Sequence, residues 1–192
     1  FNKEQYRLIS IAALIHDIGH GPFSHLFDTY VTETKHEYRS IEIFKMMNKK
    51  YQLDYSEEDI EFMYKVINPE EITDNKYYLY QIVSNKNGFD VDRVDYMLRD
   101  LKMTGIENRY DFDNNTMEFI MEKSYISVAS DDNNIDDNIL EIYFDGDIKY
   151  ILEMFYQTRF SLYKKVYNHK TVKSIEIMGG KILNLLEETF LI

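Results

Sequence analysis

The chain has 192 residues, enough for one domain with a real core, and its 44% hydrophobic and 29% charged content reads as globular rather than disordered. Its 34 acidic against 22 basic residues give a net charge of −12, so nucleic acid is not an expected partner. No stretch reaches the ~18 uncharged apolar residues of a membrane span, and residues 1–15 lack the basic start and cleavage site of a secretory signal, so an intracellular protein, cytoplasmic or nuclear, is expected. With no cysteine, disulfides and thiolate metal sites are excluded, and a transition metal would have to use His, Asp and Glu.

Two prolines and seven glycines suit a mostly α-helical chain. Residues 1–16 read as a helix, apolar nearly all round through Leu8, Ile9, Ile11, Ala12, Ala13, Leu14 and Ile15, and hence central to the core. Gly19 and Gly21-Pro22 stop it, and Pro22 suits the first turn of a second helix running to about Val31. A third helix fits His36 to about Lys50. Ser56 can cap a fourth through Ile60, Met63, Tyr64 and Ile67, ended by Asn68-Pro69. A short helix follows near Tyr77–Val83, then a turn at Asn87-Gly88. Asp90 caps a helix over about 91–101 whose core stripe is Val91, Val94 and Leu98. Tyr125–Ala129 and Ile139–Phe144 read as strands of one peripheral hairpin, joined by the acidic loop 130–138. A long helix spans about Asp147–His169, with Ile148, Leu152, Phe155, Leu162 and Val166 on one stripe, and a last one about Thr171–Glu188.

Three groups carry candidate chemistry. His16, Asp17, His20, His25 and His36 gather imidazole and carboxylate where an apolar helix stops, a donor set that suits Fe, Mn, Zn or Mg. Asp92, Tyr96 and Asp100 share one helix face at four-residue spacing. Arg159, Tyr163 and Tyr167 repeat that spacing beside Lys164, Lys165, His169 and Lys170, a cationic concentration suited to an anion. For each group the bland alternative is a packed core His, a solvated acidic face, or a basic surface stripe.

The string from Leu14-Ile15-His16-Asp17-Ile18-Gly19-His20-Gly21-Pro22-Phe23-Ser24-His25 through Phe27-Asp28 resembles the core motif of the HD-domain phosphohydrolases. More narrowly, it resembles the deoxynucleoside triphosphate triphosphohydrolases of the SAM-and-HD-domain type. Lys35-His36-Glu37, the block from Ser84 to Tyr96 and the block from Thr158 to Lys170 agree in order and spacing, so the resemblance covers nearly the whole chain.

That resemblance implies an HD-domain helical bundle over residues 1–192 with a divalent metal cofactor. It implies cleavage of a dNTP to deoxynucleoside and inorganic triphosphate. His16, Asp17 and Asp92 are then metal ligands, and a fourth, a His, is expected upstream of Phe1. Because the first residue is Phe1 and not Met, a piece cut from a longer protein is expected, truncated at the N-terminus and at the C-terminus, and a poor enzyme by itself. By the same resemblance His25 is the general acid for the leaving 5′ oxygen, oriented by Asp28. His20 and His36 lie about the phosphates, with Glu37 supporting His36. Arg93 and Arg159 hold the triphosphate. Tyr96 and Asp100 meet the sugar, Tyr167 crowds its 2′ position, and Tyr163 and Asn168 complete the substrate contacts. The family commonly has Lys, His and Gln at the places of Arg93, Tyr163 and Asn168. Its members bind activating nucleotides through basic residues before the long helix, where this chain has the acidic Asp145 and Asp147; a homo-oligomer is a further implied partner. The alternatives are another HD nucleotidase or phosphodiesterase, and a non-catalytic HD relative that binds nucleotide or nucleic acid.

Overall fold

The computed structural model describes residues 2–69, 75–106, 113–128 and 139–190. In chain order these form α1 (Lys3–Ile15), α2 (His25–Tyr30), α3 (His36–Tyr51), α4 (Glu57–Ile67), α5 (Val91–Thr104), α6 (Asn114–Glu122), β1 (Ser124–Val128), β2 (Leu140–Phe144), α7 (Lys149–Leu162) and α8 (Lys170–Phe190). Tight 3₁₀ segments occupy Tyr77–Ile82 and Gly146–Ile148, and a wide π turn occupies Tyr163–Tyr167. The fold is thus mostly helical with one two-stranded antiparallel hairpin. No described helix is long and apolar enough to cross a membrane. The acidic loop 130–138 and Ala129 of the expected first strand lie outside the described residues.

The chain divides into two compact units, residues 1–68 with 168–192, and residues 69–167. In the first, α1 starts on a reciprocal cap, where Asn2 accepts from the Gln5 amide and Gln5 from the Asn2 amide. It buries Leu8, Ile9, Ala12 and Ile15 against α3 and α4 but leaves Leu14 79% exposed. The helix is therefore amphipathic, not buried all round as its composition suggests: seven apolar residues among the eight from Leu8 to Ile15 exceed what one face can cover. Ser56 and Asp59 form the same reciprocal cap on α4, whose Ile60, Met63, Val66 and Ile67 are buried. Each such side chain is worth ~1.5–3 kcal/mol relative to exposure. α8 lies on α2, and Gly180 permits the approach: a Cβ there would stand 2.4 Å from the Tyr30 ring.

The second unit closes on Phe89, Val94, Met97, Leu101, Ile120, Ile148, Phe155 and Leu162. The α5 stripe is Val94, Met97 and Leu101, one step round from the expected Val91–Val94–Leu98; Val91 is exposed at the first turn. Asp90 caps α5 as expected, accepting from the Arg93 amide at 2.9 Å. The hairpin pairs Ser124 with Phe144 through Val128 with Leu140. It is pinned to the 3₁₀ segment where buried Gln81 accepts from the Ile142 amide at 2.7 Å, and to the core where Phe144 meets Phe89 edge-on. α6, capped by Asp113, was not expected from the sequence; it inserts Ile120, fully buried. α7 ends at Leu162 in the π turn instead of running to His169.

Candidate active site

The site in the first unit begins where α1 ends. His16 keeps helical dihedrals, and its Nδ1 stands 2.8 Å from the Ala13 carbonyl oxygen. A carbonyl only accepts, so Nδ1 carries the proton and Nε2 is the bare nitrogen. The chain then turns through Gly19, which lies against the start of α3: a Cβ there would come within 2.3 Å of the His36 carbonyl oxygen and 2.4 Å of the Ser40 amide nitrogen. Buried Ser40 closes the joint. Its hydroxyl donates to the His16 carbonyl at 2.5 Å and accepts from the Gly19 amide at 2.9 Å. This seam brings the imidazoles after α1 to the imidazole that opens α3.

His20 stacks on His36 with ring centroids 3.9 Å apart, and His25 meets the two edge-on at 4.8 and 5.4 Å. Asp17 Oδ1 stands 3.4 Å from His16 Nε2, 3.4 Å from His20 Nε2 and 3.9 Å from His36 Nε2. These separations exceed hydrogen-bond length. The two shorter ones equal the spacing of neighbouring ligands on one ion held at ~2.0–2.2 Å. Imidazole nitrogens around a carboxylate oxygen are a donor set that fits a divalent metal. His20, His25, Asp28 and His36 form a second group, each offering a ligand atom within 4.8 Å of the others.

Asp28 is the hinge of that second group. Its Oδ2 accepts from His36 Nδ1 at 2.8 Å, and its Oδ1 accepts from Arg39 Nη2. The resemblance has Asp28 orient His25; the structure has its carboxylate hold His36, while His25 is exposed at the start of α2. Glu37 has a buried carboxylate oxygen without a hydrogen-bond partner, 3.5 Å from His36 Nδ1. His25 follows Phe23 and Ser24, two non-glycine residues at φ 66° and 51°, a backbone cost of ~1–3 kcal/mol each. Pro22 therefore lies in a strained turn and does not start α2.

Burial pushes the His20 imidazole below its ordinary value, and the neighbouring His36 adds to this against the pull of Asp17, so the ring stays neutral near pH 7. Burial alone would raise Asp28, but hydrogen bonds from Arg39 and His36 outweigh it and hold the carboxyl below its ordinary value. A depressed folded value stabilises the fold above the unfolded value of ~3.9, and that stability is lost as the pH falls through the folded one. Acid unfolding followed by circular dichroism should therefore show a shallower loss of stability below pH ~4 in Asp28→Asn than in the parent. Equal slopes would mean that Asp28 adds nothing to acid lability.

In the second unit, Asp92 lies half-buried in the first turn of α5. Arg93 bonds the buried cap Asp90 and donates to the Asn85 carbonyl at 3.2 Å, so its guanidinium is tied to the turn before α5. Arg159 donates from Nε to the Tyr96 hydroxyl at 3.3 Å and lies over the Tyr163 ring at 5.1 Å. Tyr167 packs edge-on to Tyr163 and donates to Asp100 Oδ2 at 2.5 Å. Burial and Asp100 raise the Tyr167 phenol, and burial raises Tyr96, so both hold their protons at neutral pH. The structure thus gathers Tyr96, Asp100, Arg159, Tyr163 and Tyr167. Asn168 lies exposed in the turn after them, and Arg93 faces its own cap. Arg39, Ser40 and Asp90 as an arginine partner escaped the sequence reading. The spacing of Arg39 and Ser40, three and four residues beyond His36 on one helix face, was the available signal.

A mostly helical unit presenting histidines and aspartates at the end of α1 and the start of α3 defines a metal-site class, and residues 3–100 match the HD domain. The chain belongs to the HD-domain family. It is 36% identical over 190 residues to the HD domain-containing protein L394 of Acanthamoeba polyphaga mimivirus, covering 95% of this chain and 38% of that protein. It is 35% identical over 184 residues to the deoxynucleoside triphosphate triphosphohydrolase SAMHD1 homolog of Dictyostelium discoideum, covering 92% of this chain and 33% of that one. Against the human deoxynucleoside triphosphate triphosphohydrolase SAMHD1 the identity is 34% over 200 residues, covering 88% and 30%. The chain thus spans about a third of the length of these relatives.

Proposed function

We propose that this chain is catalytic core of a metal-dependent phosphohydrolase that splits a dNTP into deoxynucleoside and inorganic triphosphate. The observation that carries the reading is the ring of imidazole nitrogens about Asp17 Oδ1, in a chain that matches triphosphohydrolases over most of its length. His16 and Asp17 would hold the metal, with Asp92 as the further ligand that the family resemblance implies. A bound divalent cation supplies Lewis-acid activation of water and offsets charge in the transition state. The water oxygen joins the α-phosphorus, the bond to the 5′ oxygen breaks, and His25, exposed at the start of α2, gives that oxygen a proton. His20 and His36 face the phosphates, His36 held by Asp28 with Glu37 beside it. The planar fork of Arg159 suits a phosphate, with Arg93 adding charge. Tyr96 and Asp100 take the sugar, Tyr167 excludes a 2′ hydroxyl, and Tyr163 and Asn168 flank them.

The test is incubation of the full-length protein with each dNTP and Mn or Mg, with the products separated by ion-exchange chromatography. Triphosphate and deoxynucleoside are expected. Monophosphate or free phosphate would assign another HD-type nucleotidase or phosphodiesterase, and no product together with no bound metal would assign a non-catalytic relative.

A further inference from the structure

We propose that Arg39 is a positioning residue for the histidine cluster, acting through Asp28; as an effect on turnover this rests on the phosphohydrolase reading above. Arg39 lies one turn beyond His36 on α3 and joins three other segments. Its Nη2 bonds Asp28 Oδ1 on α2, its Nε donates to the Gly19 carbonyl at 2.8 Å in the turn after α1, and its Nη1 donates to the Thr34 carbonyl before α3. The guanidinium also lies over the Phe27 ring at 5.6 Å. All three nitrogens of the fork are thus used on groups that flank the imidazoles.

The consequence passes along a chain of acceptors and donors. Arg39 fixes one oxygen of Asp28, which leaves the other aimed at His36 Nδ1 at 2.8 Å. A carboxylate only accepts, so the His36 proton is on Nδ1 and its Nε2 is the bare nitrogen. Because His20 stacks on His36 at 3.9 Å, the orientation of one ring constrains the other. No side chain but Arg offers three divergent donors in one plane. Lys would keep the charge beside Asp28 and lose the two carbonyl anchors.

Arg39→Lys and Arg39→Gln should each lower kcat about 10–100-fold, the scale found when a group that orients a ligand is lost. KM should stay within about twofold and metal content unchanged. In an Asp28→Asn background, Arg39→Gln should cost less than about threefold further, since its route is already cut. The imidazole nitrogen signals of His36 and His20, read by nuclear magnetic resonance in parent and Arg39→Lys protein, should shift while those of His169 stay. Unchanged kcat in both variants, or a full and independent loss in the Asp28→Asn background, would overturn the proposal. So would unmoved His36 signals. If the parent hydrolyses no nucleotide, the phosphohydrolase reading fails, and the imidazole signals still decide whether Arg39 positions the cluster.

Discussion

Asp17→Ala in the full-length protein is expected to lose its metal and at least ~10³-fold of its turnover. The carboxylate stands at the centre of three imidazole nitrogens, so its removal takes away the negative donor that they surround. A metal ion contributes several kcal/mol of charge stabilisation, and ~4 kcal/mol corresponds to ~10³-fold in rate. The fold should survive, because the Asp17 side chain is 54% exposed and α1 packs through Leu8, Ile9, Ala12 and Ile15 instead. Elemental analysis, thermal unfolding and turnover on the same preparation make the measurement. A full metal complement in the variant would refute Asp17 as a ligand. Chelation of the parent should reproduce the loss, and added Mn or Mg should restore it.

Tyr167→Ala is expected to raise ribonucleotide relative to deoxyribonucleotide turnover by ~10–100-fold, the range set by one group's worth of space in a pocket. Tyr167 is half-buried, wedged edge-on to Tyr163 and tied to Asp100, so its ring is held and cannot swing aside for a larger sugar. Tyr167→Phe keeps the ring and removes only the bond to Asp100. It should leave the ratio of GTP to dGTP turnover within about threefold of the parent. If Ala and Phe change that ratio alike, the hydroxyl and not the ring sets the preference.

Local chemistry was legible in the sequence. Ser56 and Asp90 act at short range on amides of their own helices, so their caps could be read without knowing the fold. The hairpin was legible for the same reason, since β-rich runs flank a polar loop. The histidines were legible as a group through density along the chain and family pattern. What failed depended on other segments. Leu14 looks like a core residue until α3 and α4 take the opposite face of α1. The α5 stripe turned because Met97, not Leu98, reaches the core of its unit. α6 is short and polar at its start, and only the burial of Ile120 justifies it. Spacing puts Arg39 on the face of His36, but its partners are two carbonyls and one carboxylate from other segments, which spacing does not encode.

The π turn after α7 acts as a phase correction. An α-helix advances 100° per residue, so a residue four positions on overshoots its predecessor by about 40°, and one eight positions on by about 80°. A wider turn advances roughly 80° per residue and lags by about as much as the preceding step overshoots. Tyr163 therefore leads Arg159, and Tyr167 falls back nearly into line above it, where it meets both Tyr163 and Asp100. Lys164 and Lys165 inside that turn are exposed and take no part in this alignment. What the segment cannot change is its number of residues. One fewer would restore the ordinary pitch and swing the phenol of Tyr167 away from Asp100, leaving every side chain of the site chemically intact but out of step.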